Sequence, residues 1–232
     1  LGREMIENQQ LELDAGNTNS YPGTGTTWTD VSNNSRTGTL IGGVGYSSLN
    51  GGSLTFDGSN DYVSVANLGT VLNNVNKFTL NTWFKLNNPA LNNTIFSFGT
   101  ASNFSNDILI GVYGSTIFAQ VNNGGDGSGY PVASFTSTAW TNCQIVFDGT
   151  QTGNANRLKM YINGVLQTLT YSYTVPSTTG TTSTCGIGAY STPGFNSNFL
   201  NGDVSVTELY SSALDQTQVT QNFNNIKTRY GL

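Results

Sequence analysis

The chain has 232 residues, and only 9% of them are charged, compared with about 25% in an average domain. It contains no histidine, which excludes a Ser-His-Asp triad, a Cys-His pair and a histidine-ligated zinc ion. Its formal charge of −5 provides no basic surface for nucleic acid or an anionic membrane. No apolar run approaches the roughly 20 residues that span a bilayer. An aromatic content of 11% argues against disorder, so we expect a folded domain, most simply an all-β one.

The N-terminal residues 1–10 are rich in polar and charged side chains, which predicts a linker or a short helix. From Leu11 the pattern changes to an alternation of apolar and polar residues through Asp14, which is typical of a half-buried strand. Residues 15–39 are rich in Gly, Thr and Asn and predict a long ordered loop. We expect residues 11–232 to form one domain, because all-β units of this length are common.

Alternating or apolar runs predict further strands along the chain, and turn residues separate them. The Asn163-Gly164 pair favours a tight hairpin, because both residues tolerate a positive φ. The predicted strands are 53–56, 62–65, 77–86, 94–98, 108–112, 116–121, 131–135, 142–148, 157–162, 165–171, 184–189 and 202–210.

One helix is predicted near the C-terminus. Asp215 is suited to the N-cap, and Gln218 three residues later completes a capping box. Val219, Phe223 and Ile226 then form an apolar stripe at helical spacing. A series of short strands followed by one helix predicts a two-sheet antiparallel sandwich with a short C-terminal helix.

The two cysteines, Cys143 and Cys185, both lie in predicted strands. They could form a disulfide between neighbouring strands or remain as buried thiols. The second alternative is favoured, because free cysteine is among the most buried residue types.

Six segments resemble, in order, the laminin G-like, concanavalin A-like jelly-roll superfamily of lectins and glucanases: 53–65, 77–86, 140–149, 158–167, 185–190 and 201–219. They include FDGSNDYV, FTLNTW, a tryptophan strand ending in FDG, and YINGV. Two end segments, 11–32 and 221–232, resemble jelly-roll domains of bacteriophage and other viral surface proteins, such as fibres and head decorations. The resemblance implies a two-sheet jelly roll with a structural or binding role.

Catalysis in this superfamily uses paired glutamates on one strand, as nucleophile and as acid/base, in relatives that hydrolyse β-glucans. Glu12-Leu13-Asp14 offers the first half of that pattern, but no second glutamate follows. We therefore expect a protein that is not an enzyme.

A calcium ion is the cofactor that the sequence makes most plausible, because Ca²⁺ takes six to eight oxygen ligands. Asp57 and Asp61 flank a Gly-containing turn with Asn60 between them, and related jelly rolls often hold a structural Ca²⁺. Asp203 is a further candidate ligand. The alternative is that Asp57 and Asp61 accept hydrogen bonds from amides of their own turn.

Sugar binding combines aromatic faces with amide and carboxylate hydrogen bonds, and loops are where such residues concentrate. The candidates are Asp107 beside Phe104, Asp126 in the glycine-rich hairpin tip 124–129 beside Tyr130, and Tyr190 with Phe195 and Asn196. Trp28, Trp83 and Trp140 lie in framework segments and are expected to pack in the core.

The leading hypothesis is a non-catalytic surface module of a virion, as a fibre or capsid decoration, with a structural role and glycan as a candidate ligand. Its partners are then a capsid, tail or other surface protein and further copies of the chain. We expect it on the virion surface or outside the cell. The alternative is a carbohydrate-binding or adhesion domain of a secreted bacterial protein, and a glycoside hydrolase of the same fold is the third hypothesis.

Overall fold

The computed structural model describes residues 6–99, 106–124, 128–131 and 134–232. The strands within these ranges are β1 (Gln9–Asp14), β2 (Thr27–Trp28), β3 (Gly38–Ile41), β4 (Gly45–Ser47), β5 (Ser53–Asp57), β6 (Tyr62–Val65), β7 (Lys77–Leu86), β8 (Asn93–Gly99), β9 (Ile108–Tyr113), β10 (Thr116–Val121), β11 (Ser128–Pro131), β12 (Thr141–Asp148), β13 (Leu158–Ile162), β14 (Val165–Leu166), β15 (Leu169–Ser172), β16 (Thr184–Ile187), β17 (Tyr190–Thr192), β18 (Phe195–Ser197) and β19 (Asn201–Tyr210). The helices are α1 (Gly69–Leu72), α2 (Asn154–Arg157) and α3 (Gln216–Ile226), and 3-10 turns span Leu49–Gly51 and Lys227–Tyr230.

The strands form two large antiparallel sheets and one small hairpin. Sheet A has the order β14-β13-β12-β7-β19-β5-β4, with β1 pairing along the second half of β19. Sheet B has the order β15-β11-β10-β9-β8-β16-β6-β3-β2, and β17 pairs only with β18. This arrangement confirms the predicted two-sheet jelly-roll sandwich with one short C-terminal helix.

The main apolar core lies between the inner faces of the two sheets, where alternate residues of each strand meet. In β7 the core residues are Phe78, Leu80, Phe84 and Leu86, at the spacing that the alternation predicts. Sheet B contributes residues such as Ile110 and Ile187, which are completely buried. Period-two patterning therefore identifies the inner face of these strands.

Helix α3 covers the outer face of sheet A. The predicted capping box is present: the Gln218 N–H donates to Asp215 Oδ1 over 2.9 Å, and the Asp215 N–H donates to Gln218 Oε1 over 3.0 Å. The Trp83 ring stacks on Phe223 and Tyr230, with ring centroids 5.6 and 4.3 Å apart. The outer face of sheet A is therefore buried as well, which explains why β7 is buried on both sides.

Several predicted boundaries are corrected. The predicted loop 15–39 contains β2 and the start of β3, which Gly and Thr residues conceal from a periodicity test. β1 begins at Gln9, inside the predicted linker, and Ile6 is buried. The predicted strand 131–135 is observed instead as Ser128–Pro131, and 134–135 have no strand structure.

The predicted strand 165–171 is divided into β14 and β15 because the chain passes there from sheet A to sheet B. β16 ends at Ile187, before the predicted 189, because Gly188 follows with φ +83°, outside the extended region. The apolar pattern continues past the end of each strand, so periodicity alone does not locate these boundaries.

Cys143 and Cys185 are free and buried, in agreement with the favoured alternative. Cys143 lies on β12 in sheet A and Cys185 on β16 in sheet B. Burial raises the pKa of the Cys143 thiol to about 12, and it also raises the pKa of Cys185. Both thiols are therefore protonated and unreactive at neutral pH.

Candidate ligand-binding sites

A small cavity lies where the chain crosses twice between the sheets, once after β3 and once after β5. Its volume is about 280 Å³, and its lining residues are Gly42, Gly43, Gly45, Thr55, Phe56, Asp57 and Asp61. We call it the Asp57–Asp61 pocket. Two of the four predicted metal ligands therefore line one cavity.

The two carboxylates of this pocket have different environments. Asp61 is 4% exposed, and its Oδ2 accepts a hydrogen bond of 3.1 Å from the Asp57 N–H. Asp57 is exposed, and its Oδ1 accepts the Ser59 N–H over 2.8 Å. Burial raises the pKa of Asp61; the Asp57 N–H opposes this shift, and the Asp57 charge adds to it. The hydrogen bonds within the turn match the non-metal alternative, but they leave both carboxylates at the cavity.

Backbone, not side chains, forms one wall of the pocket. Gly42 has φ +95°, and a Cβ there would lie 2.3 Å from the Asn60 carbonyl oxygen. Gly43 has φ +123°, and its Cβ would lie 3.6 Å from Asp61 Oδ1. Only glycine adopts these angles at low cost, so this wall of the pocket carries no side chains.

The other two predicted metal ligands, Asn60 and Asp203, do not line the pocket. The Asn60 amide donates to the Gly42 carbonyl over 3.5 Å. Asp203 lies opposite Thr55 in the sheet, and its Oδ2 is 3.9 Å from Lys85 Nζ. Burial raises the pKa of Asp203, and Lys85 partly opposes the shift. In the part of the chain that the structure describes, no three His, Cys, Asp or Glu side chains lie together around one point.

Two of the predicted sugar-binding residues, Asp107 and Tyr190, are in contact, but both are buried. The Tyr190 hydroxyl donates to Asp107 Oδ2 over 2.9 Å, and both residues are about 1% exposed. Burial raises the pKa of Tyr190, and the nearby Asp107 raises it further. The contact fixes the β17–β18 hairpin against sheet B, where the Ser191 N–H also donates to Ser97 Oγ over 3.0 Å.

The remaining predicted sugar-binding residues are dispersed. Asn196 lies on β18 opposite Ser191, and Phe195 precedes it opposite Thr192. Tyr130 lies in β11 opposite Thr170, at the β15 edge of sheet B. Asp126 and Phe104 lie outside the described residues.

The predicted first-strand carboxylate Glu12 has a partner that sequence spacing could not identify. In the β1–β19 pair, Glu12 lies directly opposite Glu208. Glu208 is 1% exposed; its Oε2 accepts from the Asn81 amide over 2.6 Å and its Oε1 from the Gln9 amide over 3.2 Å. This face continues through the Asn142 amide, which donates to Asn81 Oδ1 over 2.6 Å.

Trp28 and Trp83 are completely buried, as predicted for framework residues, whereas the third predicted framework tryptophan, Trp140, is only partly buried. Two exposed tyrosines were not predicted as binding residues: Tyr46 is 38% exposed and Tyr173 is 73% exposed. Both lie within polar, turn-rich sequence whose composition does not distinguish an exposed ring from a buried one.

Comparison with known proteins decides the family. Residues 57–220 match a laminin G sequence model of the concanavalin A-like lectin/glucanases superfamily. The chain belongs to this superfamily. The matched range extends from the Asp57–Asp61 pocket into helix α3, so most of the sandwich falls within it.

Solved structures of the same fold include binding modules. Domain 4 of AbnA, a GH43 extracellular arabinanase from Geobacillus stearothermophilus, was solved in complex with arabinotriose; its TM-score is 0.70 at 18% identity, and the match covers 94% of this chain and 98% of that domain. The binding domain of botulinum neurotoxin DC, in complex with rat synaptotagmin II, gives a TM-score of 0.67 at 16% identity. At these identities the likeness establishes the fold alone.

A further structure concerns botulinum neurotoxin type C, whose cell entry depends on interaction with two ganglioside molecules; it gives a TM-score of 0.69 at 18% identity. The match covers 95% of this superfamily member but 51% of the type C chain, and 52% of the DC chain. The chain thus spans about half the length of these toxin structures. No curated protein matches the sequence. Among the described helices, none is long and apolar enough to cross a membrane.

Proposed function

We propose that the chain is a non-catalytic carbohydrate-binding module. The observation that carries the proposal is the match to a domain solved with a bound arabinotriose, which covers 98% of that domain and 94% of this chain. The fold neighbours therefore include a single domain of the same extent that was solved with a bound sugar.

Affinity electrophoresis tests this function. Arabinan, β-glucan and galactan are cast into separate native gels, and migration is compared with a polysaccharide-free gel. We expect retardation by at least one neutral polysaccharide and none of a non-binding reference protein. Unchanged migration in all three gels would count against the function.

The environment of Glu208, the carboxylate opposite Glu12, supports the proposal that the module is not a catalyst. A retaining glycosidase needs two carboxyl groups about 5–5.5 Å apart that both reach the sugar. Glu208 is buried, and both of its oxygens accept amide hydrogen bonds. We expect no release of reducing sugar from arabinan or β-glucan. Release that the Glu12→Gln variant abolishes would contradict this expectation.

In this proposal a structural Ca²⁺ ion binds at the Asp57–Asp61 pocket. Two carboxylates line the cavity, and burial raises the pKa of Asp61 because it disfavours the charged form. A bound Ca²⁺ ion would supply a positive charge that stabilises this carboxylate. Asp203 is not included, because its carboxylate lies near Lys85, 3.9 Å from Nζ, and not at the pocket. We expect EDTA to lower the Tm and added Ca²⁺ to restore it, since an ion that binds only the folded state stabilises it. An unchanged Tm would remove Asp57 and Asp61 as metal ligands.

The proposed location is the surface of a virion, where the module would attach to a capsid, tail or other surface protein, alone or as a homo-oligomer. Its low charge and its Thr, Asn and Gly content support an exposed module whose stability does not depend on surface ion pairs. Mass spectrometry of purified virus particles tests the location. Detection of the chain as part of a secreted bacterial protein would instead favour the alternative, an adhesion or carbohydrate-binding domain outside the cell.

A further inference from the structure

Tyr173 combines two features that are rarely found together. It is 73% exposed, and its backbone has φ +62°, in the left-handed region. Glycine and asparagine are the usual residues at such an angle, because a bulky side chain makes it costly. The segment follows β15, at one edge of sheet B.

The neighbouring β12–β13 loop holds Tyr173 in this conformation. The Asn154 amide nitrogen donates to the Tyr173 carbonyl over 2.7 Å, and Asn154 Oδ1 accepts the Val175 N–H over 3.0 Å. Arg157 Nη1 donates to the Val175 carbonyl over 2.8 Å, and Val175 is completely buried. The backbone on both sides of Thr174 is therefore fixed, and the ring is presented from a rigid support.

The ring itself contributes little to the fold. Among the described residues, Tyr173 takes part in no aromatic ring pair and no cation-π contact. Folding alone would favour glycine at this position, because glycine adopts the same backbone angle without strain. A strained conformation that the surroundings impose is a recognised feature of ligand-binding positions.

The loop that supports Tyr173 is exposed, polar and mostly uncharged. Gln151, Thr152 and Asn156 are exposed within it. The Asp148 carboxylate accepts from the Thr150 hydroxyl and the Gln151 amide, which holds the start of the loop in place. Amide and hydroxyl groups therefore lie on the loop that anchors the exposed ring.

We propose that Tyr173 is a stacking platform for a neutral sugar, with the amides and hydroxyls of residues 150–156 as hydrogen-bond partners. This inference rests on the proposed carbohydrate-binding function and assigns it a surface and a ligand class. The planar ring offers its face to the C–H groups of a sugar. Because the backbone that carries the ring is already held by Asn154 and Arg157, little backbone conformational entropy is lost when the sugar binds.

The test compares three variants in calorimetric titrations with cellotriose, lactose and arabinotriose. Tyr173→Gly removes the ring and the strain, Tyr173→Phe keeps the ring, and Leu49→Ala is a control at another position with the same exposed fraction of 73%. We expect Tyr173→Gly to weaken the best of the three interactions about tenfold. Tyr173→Phe and Leu49→Ala should bind as the parent does.

The Tm of Tyr173→Gly distinguishes a binding role of the ring from a structural one, because only loss of a structural contact would lower the Tm. We expect its Tm to equal or exceed that of the parent, because the left-handed angle suits glycine. Weaker binding together with a lower Tm would mean that the ring supports the fold, and it would overturn the inference.

The remaining outcomes separate the two proposals. If the parent binds one of the three sugars and Tyr173→Gly binds it equally well, the stacking surface is wrong and the carbohydrate-binding function stands. If the parent binds none of them and no polysaccharide retards it, the function itself is wrong and the inference fails with it.

Discussion

Two buried aspartates, Asp14 and Asp61, have opposite surroundings. Asp14 ends β1, and its two oxygens accept from Arg229 Nη1 and Nη2 over 3.1 and 2.7 Å. Asp61 ends the β5–β6 turn, and the charge acting on it is that of Asp57, another carboxylate. One buried aspartate is neutralised by a cation of the same chain, and the other lies at a cavity.

The difference separates a structural carboxylate from one that is suited to a ligand. Arg229 also donates to the carbonyls of Asn50 and Gly51 over 3.2 Å each, so it attaches the C-terminal 3-10 turn to sheet A. The Tyr230 hydroxyl then donates to Ser205 Oγ over 2.8 Å. Around Asp61, by contrast, glycine backbone lines an open cavity. We therefore expect loss of the Asp14 ion pair to lower the free energy of unfolding and mutation of Asp61 to raise it.

The largest effect is expected from Arg229→Ala, which leaves Asp14 buried without its cation. Removal of one partner of a buried ion pair costs about 3–5 kcal/mol, and the partial exposure of this pair favours the lower end. Urea unfolding should therefore show a loss of about 3 kcal/mol. The control is Lys85→Ala, whose side chain is 39% exposed and 3.9 Å from Asp203, with an expected loss below about 1 kcal/mol. Equal losses in the two variants would contradict the structural role of Arg229.

An intermediate effect is expected from Asp215→Ala, because the Asp215 carboxylate accepts a hydrogen bond from one backbone N–H, that of Gln218, and not from a cation. The variant loses the capping box of α3, and we expect a loss of about 1 kcal/mol in urea unfolding. Asp215→Asn keeps an acceptor and should restore most of the stability. A loss in Asp215→Asn as large as in Asp215→Ala would show that the hydrogen bond is not the cause.

The smallest effect, with the opposite sign, is expected from Asp61→Asn in the absence of Ca²⁺. The folded-state pKa of Asp61 is raised, so the folded protein binds this proton more tightly than the unfolded chain. Its contribution to stability is present below the unfolded pKa of about 3.9 and is lost as the pH rises through the folded pKa. At pH 7 we expect Asp61→Asn to gain less than about 1 kcal/mol, and at pH 3 no difference.

The matched control for this variant is Asp57→Asn, at the exposed carboxylate of the same pocket. We expect a smaller change from it in calcium-free buffer. Ca²⁺ should raise the Tm of the parent and not that of Asp61→Asn. A Tm rise of equal size in both would place any bound ion elsewhere.

Local patterns predict much of this fold. The alternation in KFTLNTWFKL identifies the inner face of β7, and the Asp215–Gln218 spacing predicts the start of α3. The order of the segments predicts the jelly roll. β2 and β3 are missed because Gly38 and Thr39 carry no apolar pattern, and because β3 pairs with β6, whose residues lie more than twenty positions further along the chain.

The candidate sites were less predictable, because they depend on register and not on spacing. Asp57 and Asp61 share a turn, so their proximity is visible in the sequence. The strand pairing of Glu12 with Glu208 and the hydrogen bond between Asp107 and Tyr190 join segments that are distant in the chain. Tyr173 is distinguished by its backbone angle and exposure, neither of which the sequence expresses.

The most direct test of the central claim is a glycan array probed with the whole chain in buffer that contains Ca²⁺. The array should carry neutral oligosaccharides, including arabinotriose, beside sialylated ones. The carbohydrate-binding account predicts a concentration-dependent signal on at least one neutral glycan, reduced for the Tyr173→Gly variant. Uniform silence from folded protein across the array would contradict it.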